Sequence, residues 1–424
     1  MSEELSSDQY AHSPVPEHVT MPGWRVGLIV ASFSIGIPDF LNGAHNGLAL
    51  GLGKAVLAAL LACLALYLAS CMTAIVSVRT RLSTYLLVQR SFGRHGAALI
   101  NSVIALIHYC WFGVNVTFFG EAMSTAATAN GLASNQTAFM LVGAVLMTIS
   151  TIIGIRALEK LALVVVPLLA LIFSAVVFVT VQRYGIVTQP AVNPPEPMSF
   201  GIVISALIGA YMLAVATMPD LTRYVRTARG AVLGMAVSFP IVTPLVISAA
   251  AIPALATGET SLMKLVMMLG FGTPVLFLLV LPTWTLNALN LYSASLSLSA
   301  TFPRAPRTGF IVAGGVIGTL FALAGILDYF IPFLLFLGLI IPPIAAIYVI
   351  DAYAAFRNTD PAASITNLPT VRWPALGTWL GSIAVAVLAA YEGLTLTTVP
   401  ALDATLMAAA VYGLLIKLRV GRMA

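Results

Sequence analysis

Apolar runs about as long as a bilayer crossing follow one another along almost the whole chain, and this constrains the fold more than any other feature. From Ala55 to Val78, for example, no charged residue occurs. A membrane-spanning helix needs roughly 20 predominantly apolar residues. Charged residues make up 8% of the chain and hydrophobic ones 60%, against about 25% and 45–50% in soluble domains. A water-soluble fold could not cover such a core, so lipid is the solvent. The 424 residues hold about a dozen spans with short loops and leave no room for a large soluble domain.

The spans read near 26–50, 54–78, 97–125, 138–155, 161–183, 199–218, 231–256, 273–299, 310–327, 329–350, 375–392 and 404–418. Basic residues then orient the chain. Seventeen of the 20 lysines and arginines, including Arg79, Arg81, Arg90, Arg94, Arg223, Arg226, Arg304, Arg357, Arg372 and Arg422, fall on one side; only Lys54, Arg183 and Lys264 fall on the other. This predicts a multi-pass protein of a bacterial-type inner membrane with both termini cytoplasmic. The polar start lacks the layout of a cleaved signal peptide and reads as a short cytosolic tail. Basic residues spread over loops do not form a nucleic-acid face. Cys63, Cys71 and Cys110 lie in apolar runs and read as small buried hydrophobes. Leu82–Leu87 reads as an interfacial helix, and 358–374, with Asn358, Thr359 and Asn367, as a plain loop.

Two spans carry helix-breaking signals beside a carboxylate. The first contains Gly36-Ile37-Pro38-Asp39, then Asn42-Gly43-Ala44-His45-Asn46-Gly47; the sixth contains Gly209-Ala210-Tyr211, then Met218-Pro219-Asp220. Proline removes a backbone donor and glycine loosens the helix, and discontinuous helices in matching halves of a chain are where transporters build their sites. Pro342-Pro343 in the tenth span reads as a further break, structural or gating. The segments divide as a tail (1–24), a first five-helix repeat (25–195), a second (196–355), and a loop with two extra helices (356–424).

An ionisable group at membrane depth costs several kcal/mol and is a functional candidate by default. Asp39 is the first candidate for cation coupling, with N-capping of the following half-helix as a compatible role. His108 and Trp111, three residues apart, share one helix face; an imidazole can bond a polar ring or carry a proton, and equally can be a neutral core histidine. Glu121 reads as a solvated rim residue. Asp220 and Arg223 read as a gating or structural pair at the cytoplasmic mouth. In the eighth span Thr283, Asn287 and Asn290 share a face; Thr283 reads as bonded to its own helix and Asn287 as functional. There is no phosphate loop, His-Glu-x-x-His pair or acidic metal cluster, so neither an enzyme nor ATP coupling is expected. No obligate protein partner is evident.

Ser91-Phe92-Gly93, Trp111-Phe112-Gly113, Asp220 with Arg223-Tyr224, Trp284-Thr285 with Asn287, and Pro342-Pro343 with Asp351 together resemble the nucleobase–cation symport-1 family, in its cytosine permease branch, from about Arg25 to the end. The resemblance implies an all-α, LeuT-like five-plus-five inverted repeat with two C-terminal helices, importing planar nitrogenous rings with Na⁺ or H⁺ and needing no cofactor. It implies that Trp111 and Tyr211 stack on the two ring faces while Asn287 and His108 bond its edge. A sodium site would draw on the broken first span (Gly36, Asp39) and Thr285. Three departures stand out: His108 replaces a glutamine, Leu213 a serine, and Leu286 the second hydroxyl of the sodium site. The expected substrate is cytosine or a relative, with hydroxymethylpyrimidine, allantoin or a hydantoin as alternatives; a channel or intramembrane enzyme ranks far below.

Overall fold

The computed structural model describes residues 13–153, 156–190, 198–354, 360–365, 368–391 and 395–420. The first half of the expected tail, the loop residues Arg357, Asn358, Thr359 and Asn367, and Arg422 lie outside them. The helices are α1 (Gly23–Ser32), α2 (Ile37–Leu50), α3 (Leu52–Thr80), α4 (Thr84–Phe92), α5 (Arg94–Ala129), α6 (Gln136–Ile153), α7 (Arg156–Tyr184), α8 (Phe200–Ala216) and α9 (Pro219–Thr222). They continue with α10 (Ala228–Val237), α11 (Thr243–Thr257), α12 (Leu262–Met268), α13 (Thr273–Thr301), α14 (Arg307–Leu323), α15 (Phe330–Tyr353), α16 (Trp373–Tyr391) and α17 (Pro400–Val420).

Among the described residues, nine helices are long and apolar enough to cross a membrane, ten when α1 and α2 count as one bent span. Arg307–Leu323 and Trp373–Leu388 are shorter apolar helices, so two of the twelve expected spans fall below full length. Burial is inverted relative to a soluble helix. Along α3, Ala55, Ala58, Ala59 and Ala62 face inward while Leu57, Leu60, Leu61, Leu64 and Leu68 face out. Small residues let membrane helices approach closely where no hydrophobic drive separates lipid from protein.

Two packed groups result. The paired α1–α2, α3, α8 and the α10–α11 pair form one; α5, α6, α13 and α14 form the other, and α15 joins α8 to α17. The first span breaks where expected: α1 and α2 meet at 64°. The sixth does not break at Gly209-Ala210-Tyr211, because α8 continues to Ala216 and yields only before Pro219. Gly209 serves packing instead, since a Cβ there would lie 1.8 Å from the Leu334 carbonyl oxygen of α15. Gly209→Ala must therefore push α8 and α15 apart, and overpacking of this kind costs about 1–3 kcal/mol. The expected result is a lower melting temperature in detergent, checked by thermal unfolding beside the wild type. Pro342-Pro343 does not break its span either, since α15 runs through both prolines.

Three features escaped the sequence reading. A π-helical turn, Ser238–Val242, interrupts the seventh span around Pro240. A short helix, α12, lies in the connection before the eighth span. Residues 358–374, read as a plain loop, include a segment that closes a buried ion pair. Arg372 donates from Nη1 to Asp351 Oδ2 at 2.8 Å and to the Arg90 carbonyl at 3.0 Å, while the Tyr412 hydroxyl donates to Asp351 Oδ1 at 2.9 Å. Asp351 is fully buried, so this network pins α4, α15 and α17 together. Removing one partner of a buried pair costs about 3–5 kcal/mol. Arg372→Ala should therefore lower the melting temperature clearly more than alanine at the exposed Arg304, in a side-by-side unfolding scan.

Candidate substrate and cation site

The break in the first span is built by Gly36 in extended conformation as N-cap of α2, with Pro38 in its first turn. Proline suits this place because its missing N–H would have no helical partner anyway. Asp39 is the third residue of α2, and its carboxylate reaches back to accept the Gly36 backbone N–H, as the acidic residue of a capping box does. Asp39 is therefore not the N-cap that the sequence suggested: Gly36 takes that position, and the carboxylate reaches back to it from the third helical residue. The same carboxylate has a second partner, for the Tyr211 hydroxyl of α8 donates to Asp39 Oδ1 at 2.5 Å. The broken span is thus tied directly to the aromatic of the sixth span. Tyr211 is buried beside Leu213, and its ring meets Phe239 of the π-turn edge-on at 6.4 Å.

The other end of the break touches the same turn. Ser34 Oγ lies 2.6 Å from Thr243 Oγ1 and 3.5 Å from Ser238 Oγ, all three buried. Past Asp39, the buried Asn46 amide donates to Asn42 Oδ1 at 3.3 Å. The sequence reading passed over Ser34 and named Asn42 and Asn46 only within the helix-breaking run, although the two at i, i+4 in an apolar helix were a usable signal for a side-chain pair.

Across from this group, α5 and α13 carry the ring-binding candidates. Trp111 is half-buried and packs edge-on against Phe330 and Phe333 of α15, at 6.3 and 5.4 Å. One turn along α5, His108 is also half-buried, and its Nδ1 lies 3.1 Å from Asn290 Oδ1 of α13. Asn287 is fully buried in the α5–α13 seam, donating to the Phe112 carbonyl at 3.2 Å and contacting Met147 Sδ, while its Oδ1 has no hydrogen-bond partner. The hydroxyls of Thr283 and Thr285 bond back to their own helix, at Val280 and at Leu281 and Pro282. Among the described residues no group of three or more His, Cys, Asp or Glu side chains could hold a metal ion.

Asp220 and Arg223 belong to a separate cluster on the basic face. Asp220 Oδ1 accepts the Thr84 backbone N–H at the start of α4, and Arg223 donates to the Tyr224 hydroxyl. Arg81 donates to the carbonyls of Arg223, Val225 and Arg226, tying the end of α3 to the same strand of chain. On the opposite face Glu121 accepts from the Ser261 hydroxyl just before α12. This gives the half-buried Glu121 a fixed partner.

Spans crossing in two packed groups, with one helix broken beside a half-buried carboxylate, form a multi-pass membrane architecture of the kind transporters use. Solved structures share it: Mhp1, a nucleobase-cation-symport-1 family transporter in a closed conformation with bromovinylhydantoin bound, matches with a TM-score of 0.79 over 96% of this chain and 93% of its own, at 16% identity. A Na⁺-coupled sialic acid symporter matches at 0.63 over 98% and 93%, at 14% identity. A manganese transporter of Eremococcus coleocola matches at 0.62 over 99% of both chains, at 12% identity. A sequence profile described as permease for cytosine/purines, uracil, thiamine, allantoin covers residues 29–415, and the chain belongs to this permease family. The cytosine permeases of Escherichia coli strains K12 and O157:H7 are each 28% identical over 88% of this chain and 87% of their own. The protein is a transporter and not an enzyme, and the fold is the expected LeuT-like one.

Proposed function

We propose that the protein imports cytosine or a closely related planar nitrogenous ring with a cation, by alternating access, across a bacterial-type inner membrane with both termini inside. The observation that carries this is the Tyr211–Asp39 hydrogen bond. It links the carboxylate at the helix break, where a transported cation would be neutralised or bound, to an aromatic that would stack on the ring. Trp111 supplies the other face, and His108, Asn287 and Asn290 the polar edge. Apolar faces with a few polar groups at the rim fit a small heterocycle. The 28% identity to cytosine permeases, against 16% to the hydantoin-bound structure, favours cytosine over a hydantoin.

The proton is the better coupling ion. Sodium wants several oxygen ligands, but Leu286 offers no hydroxyl and Asp39 already accepts from Tyr211 and Gly36. Gly36, Asp39 and Thr285 remain the residues that would hold Na⁺ if sodium drove transport. Asp220, Arg223 and the arginine-rich connections would gate the cytoplasmic side.

Tyr211→Phe tests the linkage, because it keeps the stacking ring and removes only the hydroxyl. Cytosine binding should weaken by no more than about tenfold, the loss of one hydrogen bond being worth roughly 0.5–1.5 kcal/mol. Its dependence on pH or sodium should flatten. Isothermal titration at several cation concentrations reads both; unchanged cation dependence would remove the linkage.

A further inference from the structure

The pair His108–Asn290 says more about the ligand than the ring reading alone, on which this inference rests. The atom of Asn290 that approaches His108 is Oδ1, at 3.1 Å from Nδ1. An amide oxygen only accepts. Nδ1 must therefore carry the proton, and in the neutral ring Nε2 is then left as a bare acceptor. No protein donor to Nε2 is found among the described residues, and the ring is half-buried on the face it shares with Trp111. One turn along α13, level with Phe112, Asn287 has its amide nitrogen engaged and its buried Oδ1 without a partner. On the face shared with Trp111, His108 Nε2 is thus the acceptor that a ligand meets, while Asn287 Oδ1 stays inside the helix seam. A buried acceptor left unmatched is costly, so the ligand must bring the donor.

We infer that Asn290 is a positioning residue that fixes the His108 tautomer, and that the site thereby selects rings presenting an N–H edge to His108 Nε2. A glutamine in place of His108 could turn either its oxygen or its nitrogen to the ligand and would not impose that choice. Asn290 need not touch the ring to set specificity, since it acts through the imidazole. The sequence hinted at this only through spacing, with Asn290 one turn beyond Asn287; which atoms meet is visible only in the packed α5–α13 seam.

The test is a selectivity ratio read in a double-mutant cycle. Binding of cytosine is compared with that of pyrimidin-2-one, which lacks the exocyclic amine, and 1-methylcytosine, which lacks the ring N1–H. In the wild type at least one deletion should weaken binding by about tenfold or more. In Asn290→Leu or Asn290→Ala the imidazole is free to move its proton to Nε2, and that penalty should shrink to within about threefold. In a His108→Gln background the same Asn290 changes should no longer alter the ratio, because their route to the ligand is gone. Two Asn290 variants are used so that a folding defect in one does not decide the matter. In parallel, ¹⁵N spectra of histidine-labelled protein, with His108→Gln used to assign the signal, should show Nδ1 protonated in the wild type and the proton shifted in the Asn290 variants. Binding of cytosine with an unchanged ratio, or a His108 signal protonated at Nε2 in the wild type, overturns this inference and leaves the ring reading standing. Failure of all three rings to bind folded protein overturns both.

Discussion

Asp39→Asn is expected to abolish concentrative uptake while leaving binding and exchange of the ring largely intact. Asparagine keeps the size of the side chain and an oxygen to accept from Tyr211, so the bond between the broken span and α8 can persist. What disappears is the charge. One elementary charge moved through 100 mV is worth about 2.3 kcal/mol, which corresponds to about a 50-fold concentration ratio, and all of it depends on a group that binds the cation. Reconstituted Asp39→Asn should equilibrate labelled cytosine across the membrane and accumulate none. Retained uphill transport would place coupling elsewhere, with the Thr285 region the next position to test.

Trp111→Ala should have the largest effect on affinity. A base stacked on an aromatic side chain is worth about 1–3 kcal/mol by alanine substitution, so cytosine should bind about 5- to 150-fold more weakly. Trp111 also packs edge-on against Phe330 and Phe333, so alanine leaves a hole beside α15. Trp111→Phe separates the two contributions, because it retains a stacking face and most of the aromatic packing. It should recover most of the affinity in a titration. Equal losses in both variants would mean that the indole does more than stack.

The membrane class, the break at Gly36-Ile37-Pro38-Asp39 and the family were legible in the chain because each rests on local signals: apolar run length, a proline beside a glycine, and motifs in fixed order. Gly209 misled because glycine has two uses in a membrane helix. It can loosen the backbone, or it can admit a neighbour to near contact, as the Leu334 carbonyl shows. Only the partner helix decides between them. Pro342-Pro343 misled similarly, since surrounding helices hold α15 continuous through both rings.

Pairings across the fold were the least legible. Tyr211 and Asp39 are 172 positions apart, and His108 and Asn290 182. Polar residues in apolar spans nominated Asp39, His108 and Asn290, and the family resemblance nominated Tyr211, but neither carried information about which would meet. The π-turn at Ser238–Val242 was hidden because Pro240 in an apolar run gives the same signal for a kink as for a widened turn.

The most direct measurement is uptake of labelled cytosine into proteoliposomes, with a proton gradient and a sodium gradient imposed separately on protein shown to be folded. The account predicts accumulation under the inward proton gradient, collapsing when the gradient is dissipated. Accumulation under sodium alone would contradict the proton assignment to Asp39, and no uptake under either gradient would contradict cytosine as the substrate.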